Sequence, residues 1–596
     1  MKRYIKYIVP FCLIAALAGC TKDFLQRDPK TEITGDQFFK SASDLETYTN
    51  GFYSMSKASY DNPSADNFSD DISIYTGGAE LDNLIRGKLS PDNVGGWNNW
   101  SDLRRINFML DNVARTAGDQ AAINHYIGIA RFYRALFYFN MVKRYGDVPW
   151  YSHAMQTSDQ GLYKASDPRA VVMDSVMNDL EFAATNIGTS MNNGTNTRVT
   201  KWAAYTLLAR VALFEGTFRK YHAELNLQNT AQRFLQRAAS ATDTVIAKGG
   251  FVIYSTGAGA LNFRSMFSSN NLSSNKEAIF LQKNDASLGV ANNTHVVLDW
   301  QWALSRSLAN DFLMADGTPY TSQVDFDKKD FVQMFKNRDP RLAETIMPPG
   351  FSTTPGGQPY LIKPDFGGLL QVKFYPRDPA LRQGWIADYT DLPIFRYAEI
   401  LLTNAEAKAE LGTLAQTDID NTINLLRRRA GMPDLNMAGA NANPDPVQAN
   451  RYPATAGNNQ GVLLEIRRER RVEMACEGLR WSDLLRWKAG SALAQPTQGI
   501  YVAALGGIDV TGDGIPDIAI WQNAQSVQPV PGLPANAPVY YLDGSSYYLS
   551  GGTSGLIMFN KDLSQPRSFI DPKYYYFPIP LQQTVLNTNL KQPSGW

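Results

Sequence analysis

Apolar residues in the N-terminal half recur at helical spacing. Phe132, Ala135, Leu136, Phe139 and Val142 form one such run, and because they cover more than a narrow stripe they predict a helix over 125–145 sandwiched by neighbours. Gly146-Asp147-Val148-Pro149 ends it, since proline and the residue before it both disfavour continuation. Similar patterns predict helices over 167–187, 199–218 and 230–247. In the 199–218 segment Trp202, Tyr205 and Leu208 alternate with Ala209, Ala212 and Gly216, small residues among large ones as in stacked helix pairs.

Helical periodicity returns over 393–411, with Ala398, Leu401, Leu402 and Ala405 on one face. The next pattern, Ile419, Ile423 and Leu426, runs into Arg427-Arg428-Arg429 before Gly431 and Pro433, cations where a helix C-terminus favours them. A third spans 462–476. Long polar stretches intervene at 62–99, 256–275 and 349–388, and loops of that length usually either carry function or are disordered. From Pro529 onward the chain is rich in Gly, Pro and Tyr, which predicts irregular structure with short strands. The predicted fold is mainly α, a tetratricopeptide-like helical scaffold with a loop-rich side and few short strands; the resemblance set out below implies that the loop-rich side is the ligand-binding one.

The first nineteen residues are a separate object. Lys2, Arg3 and Lys6 precede an apolar stretch from 7 to 18, too short to span a bilayer and suited to an export signal. It ends in Leu17-Ala18-Gly19-Cys20, similar to the lipobox at which a bacterial signal peptidase cuts and the cysteine is lipidated. The expected mature chain, 20–596, keeps Cys476 as its only ordinary thiol, so a disulfide framework is excluded. Lys plus Arg and Asp plus Glu each total 57 in the full chain, so there is no global basic field to hold nucleic acid.

Several segments together resemble the SusD/RagB family of Bacteroidetes lipoproteins. They include Cys20-Thr21-Lys22-Asp23-Phe24-Leu25, Arg134-Ala135-Leu136-Phe137-Tyr138-Phe139 with Arg144-Tyr145-Gly146-Asp147-Val148-Pro149, Met314-Ala315-Asp316-Gly317, and Asn337-Arg338-Asp339-Pro340-Arg341. Phe395-Arg396-Tyr397-Ala398-Glu399, the block from Glu469 to Leu484 and the final Phe577-Pro578-Ile579-Pro580 continue the series in family order. The resemblance implies one SusD-like domain over 20–596, with an N-terminal part of about 40–300 and a C-terminal part of about 301–596. It also implies an outer-membrane, cell-surface location through lipidated Cys20, a SusC-like TonB-dependent channel as partner, and capture of a glycan. A peptide ligand of the RagB type, a surface glycoside hydrolase and a ligandless channel lid are the alternatives.

Exposed tryptophan beside amides suits carbohydrate, because C–H faces of sugar rings pack on aromatic planes while amides read the hydroxyls. Trp97, Asn98 and Trp100 form one such cluster, and Trp300 and Trp302, preceded by Asn292 and Asn293, form a second, with Asp71 and Tyr75 as additions. The alternative is that these tryptophans only pack loops onto helices. Asp509, Thr511, Asp513, Ile515 and Asp517 have calcium-loop spacing, but Ile520 stands where an EF-hand has its bidentate Glu. A structural Ca2+ or a plain Asx turn both fit, and no cofactor is required. The charged block from Glu469 to Arg486 reads as structural, with Glu473, Glu477, Arg480 and Asp483 spaced to pair along a helix. No catalytic residue is assigned: the four histidines lack metal-ligand spacing, and H-E-x-x-H, G-x-S-x-G and P-loop motifs do not occur.

Overall fold

A computed structural model of the chain describes residues 38–57, 69–72, 80–189, 196–259, 261–299 and 303–596. Its helical side is built from α1 (Trp100–Asn112), α2 (Gln120–Tyr145), α3 (Arg169–Asn186), α4 (Lys201–Tyr221) and α5 (Ala231–Lys248). Helix α2 starts five residues before the expected position because Asp119 caps it, its carboxylate accepting from Ala122 N at 2.9 Å. The pairs are antiparallel: Arg131 lies 4.2 Å over Phe182 and Arg134 bonds Asp179 at 2.7 Å between α2 and α3, while Arg219 meets Thr230 at 2.7 Å at the α4–α5 turn.

The small residues set how closely the pairs approach. A Cβ on Gly216 would lie 2.9 Å from the Leu235 side chain and 3.0 Å from Leu235 N, so α4 and α5 touch through this glycine. Alanine there gains up to about 1 kcal/mol of helix propensity but overpacks a close-packed contact, which costs roughly 1–3 kcal/mol. Gly216→Ala is therefore expected to lower the urea midpoint at unchanged m-value; a midpoint at or above that of the parent protein would refute the contact's role.

Helices α6 (Tyr397–Leu411), α7 (Ile423–Ala430), α8 (Gln460–Glu473) and α9 (Arg480–Arg486) complete the scaffold. Arg210 and Lys220 of α4 reach Glu399 and Glu410 of α6 at 2.6 and 2.7 Å, so those helices run parallel. The helix expected from Pro393 begins only at Tyr397. Residues Leu392–Arg396 form strand β2, which pairs antiparallel with β1 (Ala278–Gln282), and Leu281 faces Pro393 there. A two-stranded ribbon leaves an edge on which proline's missing N–H is tolerated. The helix expected through Ile419–Arg429 is also split, because Thr422 leaves the helical region at φ −131°, ψ −88°.

The remainder carries two small sheets. Strands β3 (Gln498–Val502), β8 (Gly555–Phe559) and β7 (Tyr547–Leu549) form one; β4 (Gly506–Ile508), β5 (Ile518–Trp521) and β6 (Val539–Tyr541) form the other, with β5 and β6 parallel. Two large hydrophobic cores result among the described residues, with two much smaller clusters beside them. One draws on the helical side and on α6 to α9; the other gathers residues from 263–312, 331–375 and 500–559. Among the described residues no helix is long and apolar enough to cross a membrane.

Helix α8 is the seam. Val462, Leu463, Leu464 and Ile466 belong to the first core and Val472 to the second, yet the helix also buries Arg467, Arg468, Glu469, Arg470, Arg471 and Glu473. Buried charges must be paired, and apart from Arg468 with Glu465 at 3.1 Å within the helix, the partners come from other elements. Fully buried Glu473 accepts from Arg341 at 3.0 Å, Arg396 at 2.7 Å and Arg429 at 2.6 Å. Arg471 bonds Asp71 at 2.8 Å and Asp311 at 2.6 Å. The expected pairing among Glu473, Glu477, Arg480 and Asp483 is thus corrected: Glu477 goes to Lys373 and Arg396, Arg480 to Asp70, and only Asp483 has a partner within its own helix, Arg486.

Candidate ligand-binding surfaces

Trp97 and Trp100 sit together on the helical side, facing inward. Trp97 adopts φ 57° just before α1 and is only 9% exposed. Its ring meets Trp100 at 5.4 Å and Tyr145 at 4.9 Å, and Trp100 packs edge-on against Phe137 and Tyr151. The loop is pinned by Arg144, which bonds Glu80 at 2.8 Å and the Gly95 carbonyl at 3.0 Å. The expectation of an exposed stacking platform is corrected here: Trp97 packs the loop onto α2. Both rings still line a cavity of about 480 Å³ with Leu103, Tyr151, Arg104 and His153, and Asn98 beside them is exposed.

Asp71 is also corrected. It is fully buried, its carboxylate bonded by Arg471 Nε, and burial raises its pKa above the usual carboxylate value. It anchors the seam and offers no surface to a ligand. Cys20, Tyr75, Trp300 and Trp302 lie outside the described residues. The described residues before Tyr75 and after Trp302 are tied together: Ile72 pairs antiparallel with Leu304, and Ser305 N donates to the Asp71 carbonyl at 2.7 Å.

A second tryptophan surface escaped the sequence reading. Residues 381–389 fold back as a tight hairpin in which Gln383 N bonds the Ala387 carbonyl, Ala387 N that of Gly384, and Tyr389 N that of Leu381. Its tip presents Trp385, 62% exposed, and Ile386, 57% exposed. Ile386 is held at φ 52°, a region a β-branched residue occupies only when its surroundings impose it. The surroundings are specific: Ile386 N donates to Asn293 Oδ1 at 3.0 Å, and Asn292 and Asp388 exchange backbone hydrogen bonds at 2.9 and 3.1 Å.

Below the tip, the Asp388 carboxylate accepts from His295 N at 2.6 Å and Thr294 Oγ1 at 3.3 Å and pairs with His295 Nδ1 at 2.9 Å. Burial raises the Asp388 pKa, opposed by the His295 hydrogen bonds. Asn292 and Asn293, expected to read sugar hydroxyls, are buried and clamp this hairpin instead. The signal that could have found the site is the triplet Gly384-Trp385-Ile386, a bulky apolar pair beside a glycine inside the long polar stretch 349–388.

The loop with calcium spacing is closed by its own hydrogen bonds. Asp509 accepts from Gly512 N and Gly514 N at 2.6 and 2.9 Å, Asp513 from Ile515 N at 2.8 Å, and Asp517 from Val510 N and Thr511 N at 2.8 and 2.9 Å. Thr511 Oγ1 completes the set by donating to Asp517 at 3.2 Å. The carboxylates are directed at backbone donors in the manner of Asx turns, and among the described residues no three His, Cys, Asp or Glu side chains are grouped to hold a metal ion.

Comparison with known proteins agrees with this architecture. Residues 276–596 match the SusD family, and residues 23–213 match a family described as starch-binding, associating with outer membrane. SusD-like protein P2 of Formosa agariphila is 23% identical over 522 residues, covering 83% of this chain and 93% of that protein. A SusD-like protein of Bacteroides fragilis superposes with a TM-score of 0.68 at 22% identity, over 96% of this chain and 100% of its own. A laminarin binding SusD-like protein gives 0.57 at 16% identity, over 94% and 100%. With more than half of its length matched by the family and the same mainly helical fold from end to end, the chain belongs to the SusD family.

Proposed function

We propose that this protein is a cell-surface, outer-membrane lipoprotein that captures a glycan without altering it and delivers it to a SusC-like TonB-dependent transporter. The observation that carries the reading is the Trp385–Ile386 hairpin tip, an exposed apolar surface on a rigid base. A tryptophan face held in place before the ligand arrives binds a sugar ring at little ordering cost. Support comes from the starch-binding description of the N-terminal match and from structural neighbours described as a SusD-like carbohydrate binding protein and a laminarin binding SusD-like protein. The carboxylates of α8 and α9 are bound up in arginine pairs inside the fold, which suits a scaffold better than a hydrolytic site. Cys20, released by removal of residues 1–19, supplies the lipid anchor in this reading.

The test is native affinity electrophoresis of the soluble chain starting after Cys20 against plant, host and microbial polysaccharides and peptide mixtures, with product release followed in parallel. Retardation by one glycan class with no released sugar is the expected result. Binding confined to peptides would move the assignment to peptide uptake, and released sugar would overturn the non-catalytic reading.

A further inference from the structure

A cavity of about 440 Å³ lies between the seam and the segment 491–498 at the start of β3, with walls drawn from parts of the chain as far apart as Asp70, Arg451 and Arg567. The seam wall is electrically balanced. Asp70 is shared by Arg471 at 3.0 Å and Arg480 at 2.7 Å, and Asp71 bonds Arg471. Arg451 meets Asp311 at 2.5 Å, which Arg471 also reaches at 2.6 Å. Three carboxylates thus answer three guanidinium groups on that side.

The opposite wall carries an excess of positive charge. Arg567 Nε donates to Asp562 at 2.8 Å, and Arg86 reaches the same carboxylate at 2.7 Å. Arg86 and Lys561 share Asp82 at 2.7 and 2.6 Å, so two carboxylates serve three cations. Arg567 keeps 16% of its side chain exposed, and no group among the described residues accepts from its Nη1 or Nη2. Its position is fixed before any ligand arrives, because Asp562 also accepts from Thr497 N at 3.1 Å. Asn450, Gln495 and Gln498 line the same cavity and are exposed, and no group among the described residues is bonded to their side-chain amides.

A guanidinium whose two Nη groups are uncommitted grips an oxyanion through paired, charge-assisted hydrogen bonds, and side-chain amides supply both the donors and the acceptors that hydroxyl groups need. We propose that this cavity binds an acidic sugar unit, its carboxylate or sulfate on Arg567 Nη1 and Nη2 and its hydroxyls on the amides of Asn450, Gln495 and Gln498. A uronate and a sulfate ester present the same chemistry to these groups. The choice of a sugar as carrier of the anion rests on the glycan-capture reading. The site itself contains no residue of the Trp385 hairpin and works without it.

The test is affinity electrophoresis of the soluble chain, and of its Trp385→Ala variant, in gels containing polygalacturonate, alginate, carrageenan, neutral galactan or poly-L-glutamate. Lys plus Arg equals Asp plus Glu over the whole chain, so a global field does not draw it to polyanions. Retardation by an acidic polysaccharide is expected to persist in Trp385→Ala and to be at least about tenfold weaker in Arg567→Gln, the loss of a charged hydrogen-bonded pair. Asn450→Ala, which removes an exposed side chain with no partner to disturb, should weaken it about fivefold. Retention on polygalacturonate or alginate identifies a carboxylate, and retention on carrageenan a sulfate; either supports the site. No retardation by any acidic polysaccharide, or retardation undiminished in both Arg567→Gln and Asn450→Ala, would overturn the proposal even if neutral galactan is held through Trp385. Equal retention on poly-L-glutamate, lost in Arg567→Gln, would overturn the assignment to a sugar.

Discussion

Replacing Glu473 by alanine should leave the protein largely unable to fold. The carboxylate is fully buried and is shared by Arg341, Arg396 and Arg429, so its removal takes an acceptor from three buried guanidinium groups at once and leaves Arg429 only the longer contact to Glu277 at 3.4 Å. Breaking one buried pair by deleting a partner costs about 3–5 kcal/mol, against a typical total stability of roughly 5–15 kcal/mol. The expected readout is loss of soluble yield and of the cooperative transition in far-UV circular dichroism; a variant melting with the parent chain would show that the seam does not depend on this group. Acid should act on the same seam. Burial opposes ionisation of Glu473, but Arg429, Arg396 and Arg341 outweigh it and hold its pKa well below the usual 4.5. Glu469, Glu477 and Asp483 are lowered in the same way. With folded pKa values below the unfolded ones, the folded state binds fewer protons, so this stabilisation is complete above about pH 4.5 and lost as the pH falls below it. Unfolding midpoints measured from pH 7 to pH 3 should therefore drop steeply only at the acid end.

Trp385→Ala should abolish glycan retention while leaving the fold intact. Buried aromatic anchors at binding surfaces are worth about 2 kcal/mol or more, a loss of roughly thirtyfold in affinity. Trp385 is 62% exposed, and substitutions at such positions usually move stability by no more than about 0.5 kcal/mol. Trp97→Ala supplies the contrast. That ring is 9% exposed and packed on Tyr145 and Trp100, so its truncation should cost about 3–5 kcal/mol of stability. Melting curves and affinity electrophoresis on both variants separate the two roles. Full retention by Trp385→Ala would remove the hairpin tip from the binding surface.

Helix identity and approximate extent were legible because an amphipathic stripe is a local property: the 3.6-residue period of Phe132, Ala135, Phe139 and Val142 exists before any tertiary contact does. The family resemblance was legible for the same reason, as ordered short motifs such as Arg144-Tyr145-Gly146-Asp147-Val148-Pro149. Boundaries failed where a neighbour decided the matter. Pro393–Arg396 continues the helical pattern in sequence, yet pairing with Ala278–Gln282 turns it into a strand. The functional surface was least legible. Trp97 beside two asparagines and Trp385 beside a glycine look equally exposed in sequence, and only the packing of Tyr145 against the first and the clamp of Asn292, Asn293 and Asp388 beneath the second separate an inward ring from an outward one.

The sequence by itself therefore determined the helical scaffold, the charge balance and the family, because each resides in local periodicity, composition or motif order. The tertiary structure alone decided which tryptophan meets solvent and which arginine meets which carboxylate. Those outcomes depend on contacts between residues as far apart as Asp71 and Arg471, and side-chain burial and ion pairing acquire their energies only when such distant segments exclude water together.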